Sequence, residues 1–175
     1  LEAIEKVHAE TVYILPNNKN IILAAEQAKS LSEDTKVYVV PSKTVPQGIT
    51  ALINFAPDLT VEENMEEMSH VKTGQITYAV RNTSIDGMEI AEGDIMGIGD
   101  SGMLAVGKNI EETAMESLRK MVDDESELVT IYYGEDVTEE DAEAFCEKAR
   151  KEFTSCEFEC QNGGQPIYYY MISVE

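Results

Sequence analysis

Basic residues are scarce in this chain of 175 residues: 13 Lys and Arg stand against 34 Asp and Glu, for a formal net charge of −21. Nucleic-acid binding draws its affinity from Lys and Arg displacing counterions from phosphates, so a chain this acidic excludes DNA and RNA as partners. An anionic membrane surface repels it for the same reason. A basic protein surface is its natural electrostatic complement. Long hydrophobic runs are missing as well. The segment Ile21–Ala25 is among the longest, far short of the roughly 18 apolar residues a membrane span needs, so no membrane insertion is expected. Residues Leu1–Lys6 lack the basic-then-apolar plan of a signal peptide, and the first residue is not Met, which predicts a fragment of a longer chain. Cysteine is rare: Cys146, Cys156 and Cys160 are an odd count in a chain long enough to bury a core without disulfides. Reduced thiols and a cytoplasmic location are expected.

What is present is ordinary for a globular protein: 43% hydrophobic and 27% charged residues. The length predicts one domain or two small lobes sharing a core. After residues 1–10, which read as the end of a connecting helix or linker, Thr11–Leu15 is a β-branched and aromatic run stopped by Pro16-Asn17-Asn18. A helix is expected over Asn20–Leu31, with Ile21, Ala24, Ala25, Ala28 and Leu31 on its buried face and an Asn capping its start. Val37–Val40 is the next strand. Strand, helix and strand at this spacing predict a parallel crossover unit. The prolines of Pro41–Gly48 predict a loop, followed by a helix near Ile49–Phe55 and another over Val61–Ser69. Gln75–Val80 reads as a strand, and Gly87–Gly107 as short strands with Gly/Asp turns. Asn109 caps a helix over Ile110–Val122; Glu127–Tyr133 is a strand; Thr138 caps a further helix with Asp141 three residues on. Strands over Cys156–Cys160 and Ile167–Val174 end the chain. Crossover units at 11–40 and 127–160 thus flank a hairpin-rich middle.

Catalytic motifs do not hold up. Gly97-Ile98-Gly99-Asp100-Ser101-Gly102 fits G-x-G-x-x-G, but the dinucleotide fingerprint needs a helix after the loop, and Met103–Val106 reads as a strand. The same Gly-Asp-Ser-Gly lacks a recognisable His partner, since His8 lies in the linker and His70 follows an acidic helix. Gly163-Gly164-Gln165 matches a peptide-release tripeptide, yet this charge is unsuited to ribosomal RNA, and a tight turn explains the glycines. Cys156 and Cys160 have no nearby His and read as packing rather than zinc ligands. The acidic clusters at 62–67, 123–127 and 139–143 fall on helix faces or turns, without the spacing of a calcium loop. Neither catalytic nor metal-ligating residues are expected.

The geometry of the strand ends is more informative. Pro16-Asn17-Asn18-Lys19 and Pro41-Ser42-Lys43-Thr44 both follow strands of the first crossover unit, and Gly134-Glu135-Asp136 follows a strand of the second. Ligands of open α/β sheets bind beyond such strand ends. The first two loops carry a Lys each and precede helices whose free N–H groups attract anions. They read either as a recognition edge or as ordinary capping loops. The candidate partner-binding residues are Asn17, Asn18, Lys19, Lys43, Thr44 and Gln47, with Gly164, Gln165 and Tyr168 beside them.

At these residues the sequence resembles the C-terminal region of the ATP-binding component of bacterial fatty acid kinase, a dihydroxyacetone-kinase-like DAK2-domain protein. The resemblance rests on Tyr13–Ala25, Val40–Gly48, Val71–Arg81, Val129–Asp136 and Gly163–Tyr168, in that order along the chain. It implies an α/β, two-lobed DegV-like fold: residues 1–10 as a linker from missing upstream domains, 11–70 as a first α/β lobe and 71–175 as a second. It further implies a non-catalytic module that docks a DegV-type fatty-acid-binding protein. Mg-ATP belongs to the missing kinase domain, so no cofactor is expected in this fragment. The other partners implied are the upstream kinase and middle domains, with a homodimer open to the full protein. DegV-type carriers hold the fatty acid carboxylate with a Ser/Thr-rich loop after their first strand and a His-containing loop near the last. Here Pro16-Asn17-Asn18-Lys19 has no Ser or Thr and Gly163-Gly164-Gln165-Pro166 has no His, so the carrier's head-group site is not carried onto these residues. An alternative function is a small-molecule or acyl-ligand binding domain using a cleft between lobes.

Overall fold

The computed structural model describes residues 1–69, 71–85 and 87–175, and at Pro46 the backbone only. His70, weighed above as a catalytic base, lies outside the described residues. The chain divides into two compact units, Leu1–Val71 and Lys72–Glu175.

In the first unit, a short helix α1 (Glu2–Val7) precedes strand β1 (Thr11–Ile14), helix α2 (Lys19–Leu31) and strand β2 (Lys36–Val39). β1 and β2 pair in parallel, with Tyr13 opposite Tyr38 and Val12 opposite Val37, so the expected crossover unit is present. Alternation puts the two tyrosines on one face, where the Tyr13 ring lies 5.7 Å from Tyr38 and 5.4 Å from Phe55. Helices α3 (Val45–Ile53) and α4 (Val61–Glu67) follow, and Val40, Ala51 and Met68 form a buried cluster with Tyr13, Leu15, Phe55 and Met65 packed against it. Thr60 and Glu63 cap α4 reciprocally.

Two expectations change here. Helix α2 buries Ala25, with Ile22 and Ala28 half-buried, whereas Ile21, Ala24 and Leu31 face outward. Five consecutive apolar residues leave the 3.6-residue period without a clear phase, so the pattern could not choose the stripe. Helix α3 begins at Val45 instead of Ile49, because Thr44 caps it and a proline is tolerated in a first turn, where its missing N–H is not needed.

The second unit contains strands β3 (Lys72–Tyr78), β4 (Thr83–Ile85), β5 (Met88–Ile90), β6 (Ile95–Gly99) and β7 (Gly102–Gly107), then helix α5 (Ile110–Met121). Strand β8 (Leu128–Tyr133), helix α6 (Glu139–Glu152), strand β9 (Glu157–Asn162) and strand β10 (Tyr170–Val174) complete it. Six strands form one sheet in the order β7-β6-β3-β10-β8-β9, and β4 with β5 makes a separate hairpin. β8 and β9 pair in parallel across α6, the second crossover unit, while the other neighbours in the large sheet are antiparallel. Ile76, Leu118, Ile131, Phe145 and Ile172 are fully buried, and the Phe145 ring lies 4.9 Å from Tyr170. Asn109 and Thr138 cap α5 and α6 as their positions predict, through the N–H groups of Glu112 and Asp141.

The segment Gly97–Gly102 crosses from β6 to β7 through a turn at Asp100-Ser101, so no helix N-terminus follows the glycines. Gly97 instead admits α5: a Cβ there would lie 1.9 Å from Ser117 Oγ. Asp100 is committed to structure, accepting from the Thr73 N–H at 2.7 Å and the Thr73 hydroxyl at 2.8 Å. The end of the chain departs from expectation. β9 pairs with β8, as the second crossover unit predicts, but Cys156 precedes β9, and Tyr168 and Tyr169 lie before β10. The glycine-rich turn spends residues 163–169 on a loop, which shortens the final strand.

Candidate functional site

The six candidate residues of the first unit meet at the carboxyl ends of β1 and β2. The parallel pairing of Ile14 with Val39 aligns those ends, and Asn17 then joins the two loops. Its backbone N–H donates to Ser42 Oγ at 3.1 Å, and the Ser42 hydroxyl donates to Asn17 Oδ1 at 2.9 Å. Asn17 sits in the left-handed region at φ 55, which asparagine adopts more readily than most side chains. Gly48 makes room for it: a Cβ on Gly48 would lie 2.0 Å from Asn17 Oδ1.

The helix starts are also satisfied from within. Asn18 Oδ1 accepts from the Asn20 N–H at 2.9 Å, capping α2. Thr44 Oγ1 accepts from the Gln47 N–H at 3.3 Å, and Gln47 Oε1 accepts from the Lys43 N–H at 2.6 Å. These side-chain oxygens therefore act as ordinary capping loops do, each accepting an internal bond that folds the edge. The anion-attracting helix N–H groups are partly consumed by the same caps. Lys19 and Lys43 are different. Both are exposed, and neither ammonium group has an ion pair among the described residues. The edge is thus a preformed frame that presents two cations. Ser42 and Gly48 were not picked out from the sequence. A serine in a polar loop gives no distinguishing signal, while a glycine inside an apolar helix pattern is a hint of close approach.

Gly164, Gln165 and Tyr168 fall in the second unit, in the loop between β9 and β10. Gln165 Nε2 donates to the Tyr132 carbonyl at 3.0 Å and to the Tyr168 carbonyl at 3.4 Å, and the Gln165 carbonyl accepts from the Glu135 N–H at 3.1 Å. Gln165 therefore fastens the loop to the end of β8. Gly164 has φ 58 and suits the turn; Tyr168 is half-buried. The same loop holds Ile167 at φ 74, a strained conformation for a β-branched residue, with its carbonyl accepting from the Thr77 hydroxyl.

A cavity of about 480 Å³ lies between β7, α5 and α6, and none of the nine candidate residues lines it. Its rim charges answer one another, Arg119 with Glu116 and Glu152, and Lys148 with Glu111. Among the described residues no group of His, Cys, Asp and Glu is arranged to hold a metal ion, and no helix is long and apolar enough to cross a membrane. Cys146 is fully buried, and burial pushes its thiol above the ordinary range, with the neighbouring Cys160 thiol adding to the effect. Such a thiol is unsuited to nucleophilic work.

The fold is that of fatty-acid-binding proteins of the DegV type. The Streptococcus pneumoniae fatty acid kinase B3 protein, solved loaded with linoleic acid, superposes with a TM-score of 0.68 at 13% identity, over 99% of this chain and 74% of that one. A DegV-family protein of Ruminococcus gnavus with vaccenic acid gives 0.65 at 14% identity, over 99% and 76% of the two chains. The family model for the C-terminal region of FakA-like fatty acid kinase proteins matches residues 1–175, and the chain belongs to that family. Protein YloV of Bacillus subtilis is 44% identical over 179 aligned residues, covering all of this chain and 32% of the relative. The uncharacterized protein SAR1202 of Staphylococcus aureus is 38% identical with the same coverage. The chain thus spans about a third of the length of these relatives.

Proposed function

We propose that this chain is the non-catalytic docking module of a fatty acid kinase. It engages a DegV-type fatty-acid carrier, so that a kinase domain elsewhere in the full protein phosphorylates the carried fatty acid, using Mg-ATP bound to that domain. The kinase and middle domains are its partners within one chain, a second copy is its partner in the full protein, and the assembly works in the cytoplasm. Membership of the kinase family and the carrier-like fold support this reading. The observation that carries it is the edge of the first unit, where two cations without an ion pair among the described residues stand on a frame held by Asn17, Ser42, Thr44 and Gln47.

Cations at the rim of an interface steer encounter and add modestly to affinity, and salt screens both effects. Asn18→Ala is a poor probe, because it removes the cap of α2. Charge reversal at Lys19 and Lys43 is cleaner. In surface-plasmon binding to a DegV-type carrier, Lys19→Glu with Lys43→Glu is expected to weaken binding about tenfold at low salt and less at high salt. Glu62→Lys with Glu66→Lys on α4 is expected to leave binding unchanged. The opposite ranking would assign docking to the acidic helix and refute the edge.

A further inference from the structure

Helix α3 is anomalous in this protein. From Thr44 to Pro57 the sequence has no charged residue, although 27% of the whole chain is charged. Val45, Ile49, Leu52 and Ile53 recur at the spacing of one helix face, and they are not the buried face. They are 51%, 38%, 66% and 71% exposed, while Ala51 on the other side is fully buried. Single exposed apolar side chains are common, but a charge-free stripe of four marks a contact surface. Helix α2 also exposes Ile21, Leu23 and Leu31, but there Glu26 and Lys29 interrupt the apolar surface with an ion pair.

We infer that the α3 stripe is the apolar centre of the docking face, and that it receives an apolar patch of the carrier protein flanked by carboxylates. This rests on the docking reading above and extends it from the strand-end loops onto the helix. Charge complementarity selects the occupant. Lys43 stands immediately before the cap of α3, and the Asn17–Ser42 clasp brings the start of α2, with Lys19, to the same edge. The stripe therefore ends in the two cations, and the complementary surface is apolar with acidic groups at that end. A second copy of a chain of net charge −21 is repelled at long range, and stripe-to-stripe pairing gives the lysines no acidic partner from the other stripe. An anionic bilayer meets the same repulsion.

The test is a calorimetric titration of a DegV-type carrier into the 175-residue chain and into the Leu52→Gln/Ile53→Gln variant. Both side chains are exposed, so the variant is expected to fold, and its circular dichroism and melting temperature verify that. Losing two apolar contacts should weaken carrier binding about 10- to 100-fold. Light scattering of the chain alone and flotation with phosphatidylglycerol vesicles run beside it. Carrier binding by the parent chain that the variant keeps in full overturns the stripe and leaves the docking reading standing. No carrier binding by the parent chain overturns both. Dimerisation or vesicle binding that the variant abolishes, with carrier binding intact, reassigns the stripe to a second copy or to lipid and overturns this occupant.

Discussion

Asn17, Ser42 and Gly48 form a unit whose parts have no meaning singly. Asn17 bridges the loops because Ser42 both accepts from its backbone and donates to its side chain, and it has space only because residue 48 lacks a side chain. Gly48→Ala should destabilise the first unit by about 1–3 kcal/mol, through steric conflict and the loss of the clasp. Adding Asn17→Gly removes the conflicting side chain, and glycine accepts the φ of 55 at that position without strain. Chemical denaturation should therefore show the double variant more stable than Gly48→Ala alone. If the two substitutions destabilise additively, the close approach is not what demands glycine. At this scale the sequence indicated where the loops fall and which polar residues they carry. It did not show which atoms the fold consumes, because an Asn or Gln amide looks the same whether it caps a helix or awaits a partner.

Elements with a strong local code were readable. Asn109, Thr138 and the loop asparagine at 18 announce the starts of α5, α6 and α2, and both parallel crossovers follow from strand and helix spacing. Elements whose limits are set by tertiary contacts were not: the outward turn of Ile21 and Leu31 on α2, and the late start of β10, depend on what packs nearby. The β6–β7 hairpin shows how tertiary contacts also reach ionisation. Lys108, just after β7, bonds to the nearly buried Asp94, just before β6, and holds that carboxyl below its ordinary range; the Ala91 N–H reinforces the shift. A carboxylate depressed on folding gives stability that is present above the ordinary carboxylate range near pH 4 and is lost as the pH falls through its lower folded value. Melting temperatures measured from pH 7 down to strong acid should show Lys108→Met less stable than the parent near neutrality. The gap should close below about pH 4, as Asp94 protonates. A gap independent of pH would mean that Lys108 acts only through its alkyl stem.

At the scale of the whole chain, the family and the fold come from different comparisons. The chain shares the fold of fatty-acid carriers at 13% and 14% identity, while its sequence places it with the FakA-like kinase proteins. Its first strand-end loop carries Asn and Lys, and Gln165 of the late loop is tied to the protein itself. The most direct test is backbone amide hydrogen exchange of the chain, alone and saturated with a DegV-type carrier, followed by mass spectrometry of its peptides. New protection is expected at residues 17–20 and 43–53, with α4 and α6 unchanged. Protection on α4 or α6 with none at those two segments would contradict docking at this edge.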